Sequence, residues 1–299
     1  MLVLFLVLIL LLVVTVFQIN SYKDRILFQP RKIMNPTFEG VKDLFLERDW
    51  NGTVKYSSEG INVWHYHSNE NDKTVLFCHG SNGNISQRKY IYDFCKIFKL
   101  NLILFDYYGY GKSSGKPSQS NIYKSADIIW EYAIKQCSSL HQMIIWGESL
   151  GGTVAGYLGN KYGCFKLILM STFSSLDDIL YHSKNQSLPN KFIMFSLKKF
   201  CITFPTKYFM KDIKCPVLIV HSIDDEIIPI PNAEILYCSI PHQHKQMITI
   251  KGTHTSPIFT TEQLIKFLDF CNIDYSKVPD KTFEQIIFMM TNVIKKDFD

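Results

Sequence analysis

The clearest chemical signal in the chain is the pentapeptide Gly147-Glu148-Ser149-Leu150-Gly151. It follows a short apolar run and precedes an amphipathic stretch, the strand–turn–helix context in which a G-x-S-x-G serine stands on a tight turn. Glycines are needed beside such a serine because larger side chains would clash in the turn. We therefore expect Ser149 to be a nucleophile, with a solvent-facing serine in a Gly-rich turn as the alternative.

A serine hydroxyl needs a base and an orienting acid to attack at neutral pH. Asp225 is our candidate acid, in a carboxylate-rich segment after a predicted strand, and Asp224 is the second candidate. His254 is our candidate base, after the last predicted strand, where Gly252 permits a sharp turn. The chain order Ser149, Asp225, His254 predicts a catalytic triad.

Acyl-transfer chemistry also needs N–H donors for the developing oxyanion. We assign one to the backbone N–H of Leu150 and the other to that of Ser81, in the loop His79-Gly80-Ser81-Asn82-Gly83-Asn84. His79 is interpreted as a structural hydrogen-bonding residue. The Gly-Lys-Ser at 111–113 lacks the first glycine of a phosphate-binding loop, and no Cys/His cluster has metal-ligand spacing, so we expect neither cofactor nor metal.

The elements that must position these residues alternate along the chain. Short β-branched apolar runs predict buried parallel strands, and amphipathic stretches between them predict crossover helices. The expected strands are Thr74–Cys78, Leu100–Phe105, Met143–Trp146, Phe165–Met170, Val217–Val220 and Gln246–Ile250, and the expected helices are Gln87–Phe98, Ile122–Ile134 and Leu150–Tyr162. The fold class is therefore α/β, a mostly parallel sheet with helices on both faces. Thr53–Tyr66 predicts an antiparallel hairpin ahead of it.

Composition limits the class of protein. The chain has 299 residues, of which 46% are hydrophobic and 20% charged, which excludes disorder and allows a core without disulfides or metals. The net charge of +5 is too weak a bias for a nucleic-acid partner. We divide the chain into an anchor at 1–19, a linker and entry segment at 20–52, and a catalytic α/β domain at 53–299.

Two segments interrupt the alternation. Residues 173–211 predict a small helical cap, and Phe283–Ile294 predicts an additional C-terminal helix. The cap is rich in aromatic residues, which either pack within it, the favoured interpretation, or line an acyl pocket or face lipid. They are Phe192, Phe195, Phe200, Phe204, Tyr208 and Phe209.

The N-terminus carries a membrane signal. Met1–Phe17 is apolar apart from Thr15, and the run reaches the minimum spanning length at Ile19. We expect a retained single-pass transmembrane helix, a signal-anchor; a cleaved signal peptide, and hence a secreted soluble esterase, is the alternative. Basic residues follow the segment and favour the cytosolic face, whereas three N-x-[ST] sites point to a lumen. The basic residues are Lys23, Arg25, Arg31 and Lys32, and the sites are Asn51, Asn84 and Asn185.

The cysteines form no C-x-x-C pair, and most lie in apolar runs. We interpret them as mostly buried free thiols, although their even number permits disulfides. They are Cys78, Cys95, Cys137, Cys164, Cys201, Cys215, Cys238 and Cys271.

From about Thr74 to Phe270 the chain resembles the α/β-hydrolase superfamily, and more closely its membrane-anchored α/β-hydrolase domain-containing proteins related to fungal Bem-type hydrolases, many labelled serine aminopeptidase-like. The oxyanion loop of that family, H-G-N-A-G-N, is matched as H-G-S-N-G-N from His79. Its D-Y-R-G-Y-G-K-S is matched from Asp106, with Tyr108 in place of the arginine. The substitution removes whatever role that arginine has in orienting the loop.

The resemblance implies a serine hydrolase fold with an N-terminal anchor, among relatives that include esterases, lipases and protein depalmitoylases. We expect cleavage of carboxylic esters or thioesters, with small-molecule, acyl or lipid substrates, because the anchor and aromatic cap bring the site near lipid. A catalytically silent, membrane-tethered binding protein is one alternative, and a peptidase or amidase is another. A serine nucleophile argues against epoxide hydrolase or dehalogenase chemistry. Fold alone does not select the substrate, and the oligomeric state is not indicated.

Overall fold

The computed structural model describes residues 27–68, 70, 72–182 and 204–291. The expected anchor at 1–19, most of the cap and Asn185 lie outside these residues, and the anchor stays a prediction. Among the residues described, no helix combines the length and apolar character needed to cross a membrane.

A ten-stranded sheet forms the centre of the fold. Its strands are β1 (Val41–Arg48), β2 (Val54–Ser57), β3 (Ile61–Tyr66), β4 (Thr74–Cys78), β5 (Asn101–Phe105), β6 (Met143–Glu148), β7 (Lys166–Met170), β8 (Val217–Ser222), β9 (Lys245–Thr253) and β10 (Ser256–Ile258). Their order across the sheet is β10-β9-β8-β7-β6-β4-β5-β3-β1-β2. The six strands from β9 to β5 run parallel, and antiparallel strands extend both edges.

Helices cover both faces of the sheet. They are α1 (Lys89–Ile97), α2 (Gln119–Gln136), α3 (Leu150–Tyr162), α4 (Leu176–His182), α5 (Thr206–Lys211), α6 (Pro231–Ser239), α7 (Thr261–Phe270) and α8 (Asp280–Thr291). Side chains of β4 alternate between two cores: Leu76 and Cys78 pack with α2 and α3, whereas Val75 and Phe77 pack with α1 and α7. Strands buried on both faces read as continuous apolar runs, which is why the sequence revealed them.

The α/β class with a mostly parallel sheet is confirmed, and helix α3 has the predicted bounds. The predicted hairpin is wrong, because β2 and β3 do not pair with each other: β1 lies between them and is antiparallel to both. Gly60, with φ +109°, lies where a Cβ would overlap the carbonyl oxygen of Leu46, so the chain crosses closely past β1. The strand at Val41–Arg48 falls within the segment that the sequence assigned to a linker.

The loops that carry the candidate catalytic residues lie at one edge of the sheet, the edge formed by the carboxyl ends of the parallel strands. Ligands of α/β sheets bind outside this edge. The loops that carry Ser81, Ser149 and Asp225 follow β4, β6 and β8, and His254 follows β9. The cap insertion leaves β7 at this same edge, and its described parts are α4 and α5.

Candidate active site

Ser149 occupies the turn between β6 and α3 with φ 53° and ψ −120°. A left-handed φ is strained for a residue with a side chain, so the surroundings must hold it. The Ser149 N–H donates to the Met170 carbonyl at 3.0 Å, and the Thr172 hydroxyl donates to the Ser149 carbonyl at 2.6 Å. Both bonds tie the turn to the end of β7, which fixes the position of the serine.

Three glycines make room for this turn. A Cβ at Gly147 would overlap the Gly151 carbonyl oxygen, and one at Gly151 would overlap that of Cys78. A Cβ at Gly152 would overlap the Thr172 side chain. Helix α3 therefore begins in direct contact with the strand ends, as the motif requires.

Ser149, Asp225 and His254 form one hydrogen-bonded chain. His254 Nε2 lies 3.1 Å from Ser149 Oγ, and His254 Nδ1 lies 2.7 Å from Asp225 Oδ2. The His254 side chain is 11% exposed and that of Asp225 is fully buried. The three residues singled out by the sequence are thus in contact, in the arrangement that lets the imidazole accept a proton from the hydroxyl.

The other oxygen of Asp225 is held by the backbone of its own loop. Oδ1 accepts the N–H groups of Ile227 at 3.0 Å and Ile228 at 2.7 Å, which leaves Oδ2 directed at the imidazole. Asp224, the second candidate, accepts the Gly252 N–H at 3.3 Å. The structure therefore distinguishes two adjacent aspartates that the sequence left as alternatives.

The carboxylate-rich loop also holds the backbone of the histidine turn. Glu226 Oε2 accepts the His254 N–H at 3.0 Å, beside the bond from Gly252 to Asp224. The Ser222 hydroxyl donates to the Gly252 carbonyl. Sequence reasoning missed this role of Asp224 and Glu226, although the acidic run itself was visible.

The charges around His254 favour its protonated form. Burial alone would lower the pKa of the imidazole, but the hydrogen bond and charge of Asp225, with the charges of Glu148 and Glu226, outweigh it. The pKa of His254 therefore lies above its ordinary value. Asp225 thus both orients the ring and stabilises the imidazolium.

A second histidine lies behind the acid. His221 is fully buried, its Nε2 donates to the Ile228 carbonyl at 2.7 Å, and this nitrogen lies 3.7 Å from Asp225 Oδ2. Burial lowers the pKa of His221, which keeps the ring neutral. His221 therefore hydrogen-bonds the backbone of the loop that carries Asp225, and the Asp225 carboxylate remains the partner of His254.

Glu148, to which sequence reasoning assigned no role, lies beside Ser149. Its carboxylate accepts the hydroxyl of Tyr90, a buried residue of α1. Burial, together with the neighbouring Glu148 charge, raises the pKa of Tyr90, so the phenol keeps its proton and remains a donor. The second residue of a G-x-S-x-G motif carries no signal of such a role, so only the structure reveals it.

Two tyrosines fix the loop that follows β4. The Tyr107 hydroxyl donates to the His79 carbonyl and the Tyr110 hydroxyl to the Ser81 carbonyl, both at 2.8 Å. Tyr107 also stacks on the His79 ring at 4.3 Å, in agreement with a structural role for that histidine. The tyrosines of the D-Y-Y-G-Y segment thus hold the loop, while Tyr108 contributes its backbone N–H to the Ser125 hydroxyl.

Asn84 anchors the far end of the same loop. Its buried side-chain amide donates to the carbonyls of Arg31 at 3.1 Å and Ile33 at 2.8 Å. The short parallel pair of Gln29–Pro30 with Asn82–Gly83 adds to this anchor. Asn84 is therefore a structural residue, with no room for a glycan in the folded chain.

The two segments that carry the expected oxyanion donors adjoin Ser149. Leu150 is the first residue of α3, and an N–H at that position has no partner within the helix. Gly80, next to Ser81, packs against Ser149, since a Cβ at Gly80 would lie 3.5 Å from the Ser149 Cβ. Both loops that carry the donors are thus adjacent to the serine.

Two of the cap aromatics are packed into the fold, as the favoured interpretation expects. Phe204 is fully buried against Phe28 and Phe173, and Phe209 packs on Tyr157. Tyr208 is exposed, and the remaining three lie outside the described residues. Within the described part of the chain, no group of three or more His, Cys, Asp or Glu side chains is arranged to hold a metal ion.

Comparison with known proteins agrees with this fold. A family model described as the alpha/beta hydrolase fold matches residues 73–186. An uncharacterized protein of Acanthamoeba polyphaga mimivirus is 30% identical over 229 residues, covering 68% of this chain and 74% of that protein. Mouse alpha/beta hydrolase domain-containing protein 17C is 29% identical over 171 residues, covering 56% of this chain. The matched region spans only 50% of the mouse protein.

Among solved structures, the Pyrococcus furiosus esterase Pf2001 superimposes with a TM-score of 0.59. The match covers 88% of this chain and 98% of the esterase, at 14% sequence identity. An identity this low speaks for the fold alone.

Proposed function

The chain belongs to the α/β-hydrolase superfamily, and from that premise we propose that it is a serine hydrolase with Ser149 as nucleophile, His254 as general base and Asp225 as orienting acid. The observation that carries the proposal is the position of the His254 ring, 3.1 Å from the Ser149 hydroxyl and 2.7 Å from the Asp225 carboxylate. The strained φ of Ser149 supports it, because such conformations cluster at active sites.

In the proposed reaction Ser149 Oγ attacks the substrate carbonyl and its proton passes to His254 Nε2. The N–H groups of Leu150 and Ser81 stabilise the oxyanion, and Asp225 stabilises the imidazolium. His254 then protonates the leaving group as the carbonyl re-forms, which leaves an acyl-Ser149. Water, deprotonated by His254, attacks this ester; the acyl–Oγ bond breaks, His254 returns the proton to Ser149 Oγ, and the carboxylic acid leaves.

The substrate class proposed is carboxylic esters or thioesters of apolar acyl groups. An alcohol or thiol leaves more readily than an amine, so cleavage of these bonds depends less on protonation of the leaving group by the imidazolium than cleavage of an amide does. The apolar segment at 1–19 is proposed as a single-pass membrane anchor, with the catalytic domain on the cytosolic face because basic residues follow the segment. Such an anchor would hold the site near acyl chains.

Labelling with a fluorophosphonate probe tests the proposal, because the probe reacts with activated serines. The full chain in membrane fractions should label, and Ser149→Ala and His254→Ala should not. Matched controls are Ser239→Ala, a serine that bonds the Ile235 carbonyl within α6, and His141→Ala, an exposed histidine. Both should label as the wild type does.

Absence of labelling in the folded wild type, or undiminished labelling of Ser149→Ala, would overturn the proposal and favour a silent binding protein. Once labelling is established, ester and thioester series of increasing acyl length define the substrate. Preference for short amides over all of them would move the assignment to an amidase.

A further inference from the structure

Two cysteine side chains meet at the amino-terminal ends of the parallel strands, opposite the strand ends that carry the candidate active site. Cys164 lies just before β7 and Cys215 just before β8, and these neighbouring strands are parallel, with Leu167 opposite Val217. The Cys164 thiol donates to Cys215 Sγ at a sulfur–sulfur distance of 3.2 Å. Both cysteines are free in this structure.

The pair is suited to covalent linkage. A disulfide needs sulfurs about 2.0 Å apart, so the two atoms have to approach by only roughly 1.2 Å. Their residues retain 9% and 6% exposure, in contrast to Cys78, Cys95 and Cys271, which are completely buried. The strand ends that carry the pair are fixed by the sheet, which keeps the two thiols facing each other.

We propose that Cys164 and Cys215 form a reversible disulfide that joins the start of β7 to the start of β8 and so closes a loop that contains the cap insertion. The two residues are 51 positions apart. The closed loop therefore contains β7, α4, residues 183–203 and α5. This crosslink is independent of the hydrolase proposal, because it lies at the opposite edge of the sheet from Ser149.

The two thiols are not equivalent, which sets the order of the chemistry. The hydrogen bond from Cys164 lowers the pKa of Cys215. Burial, with the hydrogen bond it donates, raises the pKa of Cys164. Cys215 is therefore the attacking sulfur, since the thiolate is the nucleophile in thiol–disulfide exchange.

The oxidant is a low-molecular-weight disulfide such as oxidised glutathione. Cys215 Sγ, having lost its proton to solvent, attacks one glutathione sulfur; the oxidant S–S bond breaks and one glutathione thiolate leaves. Cys164 then loses its proton and attacks Cys215 Sγ, which displaces the second glutathione thiolate. Two protein thiols are oxidised, one small disulfide is reduced by two electrons, and two glutathione thiols result after protonation.

Crosslinking should stabilise the chain, because a closed loop of this length restricts the unfolded state. We expect the oxidised protein to melt about 5–15 °C above the reduced protein. Treatment with dithiothreitol should restore the lower melting temperature. Cys164→Ser should melt at the same temperature in oxidising and reducing buffer.

Peptide mapping gives the direct test. The full chain is equilibrated with increasing ratios of oxidised to reduced glutathione, quenched in acid, unfolded, alkylated and digested with trypsin. Cys164 falls in the fragment 162–166, and Cys215 in the fragment 215–245, which also contains the exposed Cys238. The experiment is therefore run in Cys238→Ser as well, where a link between the fragments identifies the pair without ambiguity.

In Cys238→Ser the expected result is a linked peptide about 2 mass units lighter than the sum of the two reduced fragments; in the wild type the same peptide also carries one alkyl group on Cys238. The linked peptide should be absent in Cys164→Ser. Full alkylation of both cysteines at the most oxidising ratio, including after refolding in that buffer, would overturn the proposal. The proposal would also be overturned if glutathione stayed bound to Cys215 while Cys164 remained a free thiol, detected by its alkylation. The wild-type mapping does not depend on how any variant folds.

Discussion

His254 Nε2 lies 3.1 Å from Ser149 Oγ, and the opposite nitrogen of the same ring is bonded to Asp225 at 2.7 Å. Because Nδ1 faces a buried carboxylate, it carries the proton, and Nε2 presents its lone pair to the serine. The ring is thus already in the tautomer and orientation that proton abstraction needs. Every residue that restrains the ring contributes to this arrangement.

Asp225→Asn should reduce kcat/KM by roughly 10³–10⁴-fold, because the amide keeps the shape but favours the wrong tautomer of His254. Asp224→Asn is the matched control, since the Asp224 carboxylate accepts the Gly252 N–H and not a bond from the imidazole. Its effect should be tenfold or less, about 1.4 kcal/mol in transition-state stabilisation. Ester hydrolysis by both variants is the measurement; equal losses would show that the two aspartates act as one acidic patch.

The pH dependence should reflect the raised pKa of His254. The base must be neutral, so kcat/KM falls as the pH drops through this pKa, and the acid limb should lie above the usual imidazole value of 6.5. Glu148→Gln and Glu226→Gln each remove a charge that favours the imidazolium. Both should lower the pKa and move the limb to lower pH.

Glu39→Gln is the control for that shift, because Glu39 is exposed and pairs with Lys96 far from the site. Its pH profile should match that of the wild type. A wild-type acid limb at or below pH 6.5 would contradict the electrostatic account of the raised pKa. So would an acid limb that stays at the wild-type pH in both Glu148→Gln and Glu226→Gln.

Much of this site was accessible from sequence because local chemistry dictates it. The turn at Ser149 requires glycines at 147 and 151, and buried parallel strands read as apolar runs, so the motif and its strand could be recognised together. The order of serine, acid and histidine then followed from strand-end loops. These three residues are far apart in the chain, so the sequence alone does not show that they touch. They come into contact because the parallel strands that precede them end side by side in the sheet.

What the sequence did not provide depends on tertiary pairing. The choice between Asp224 and Asp225 is made by Ile227 and Ile228, whose N–H groups turn one carboxylate toward the imidazole. The misread hairpin has a similar cause: strand β1 inserts between β2 and β3, and alternation within a strand does not identify its partner.

The tyrosines beneath the loop after β4 give a further prediction. Tyr107→Phe removes the hydroxyl that donates to the His79 carbonyl. Tyr110→Phe removes one of two donors to the Ser81 carbonyl, which keeps the Gln29 N–H at 3.0 Å. Both changes weaken the support of the loop and allow it to shift. Because small displacements of a transition-state donor are costly, we expect kcat to fall about tenfold or more with little change in KM. Stability should decrease by about 1 kcal/mol.

Steady-state kinetics and urea unfolding check both parts. Tyr56→Phe, an exposed tyrosine of β2 that interacts with Tyr132, is the control and should leave kcat unchanged. Unchanged kcat in a folded Tyr110→Phe would mean that the Ser81 N–H does not contact the oxyanion.

Helix α3 offers a matched pair of glycines for the last prediction. Gly152→Ala introduces a Cβ that overlaps the Thr172 side chain, and Thr172 holds the Ser149 carbonyl. Overpacking of this kind should destabilise the fold by about 1–3 kcal/mol and lower kcat, because relief of the clash displaces the nucleophile turn. Gly156→Ala, one turn later, meets Met210 Cε at 3.2 Å and Thr206 Cγ2 at 3.3 Å, contacts that shifts of a few tenths of an ångström relieve, and it gains up to about 1 kcal/mol of helix propensity. Urea unfolding should therefore separate the two alanine variants, and equal stabilities would mean that α3 moves away from β7 without cost.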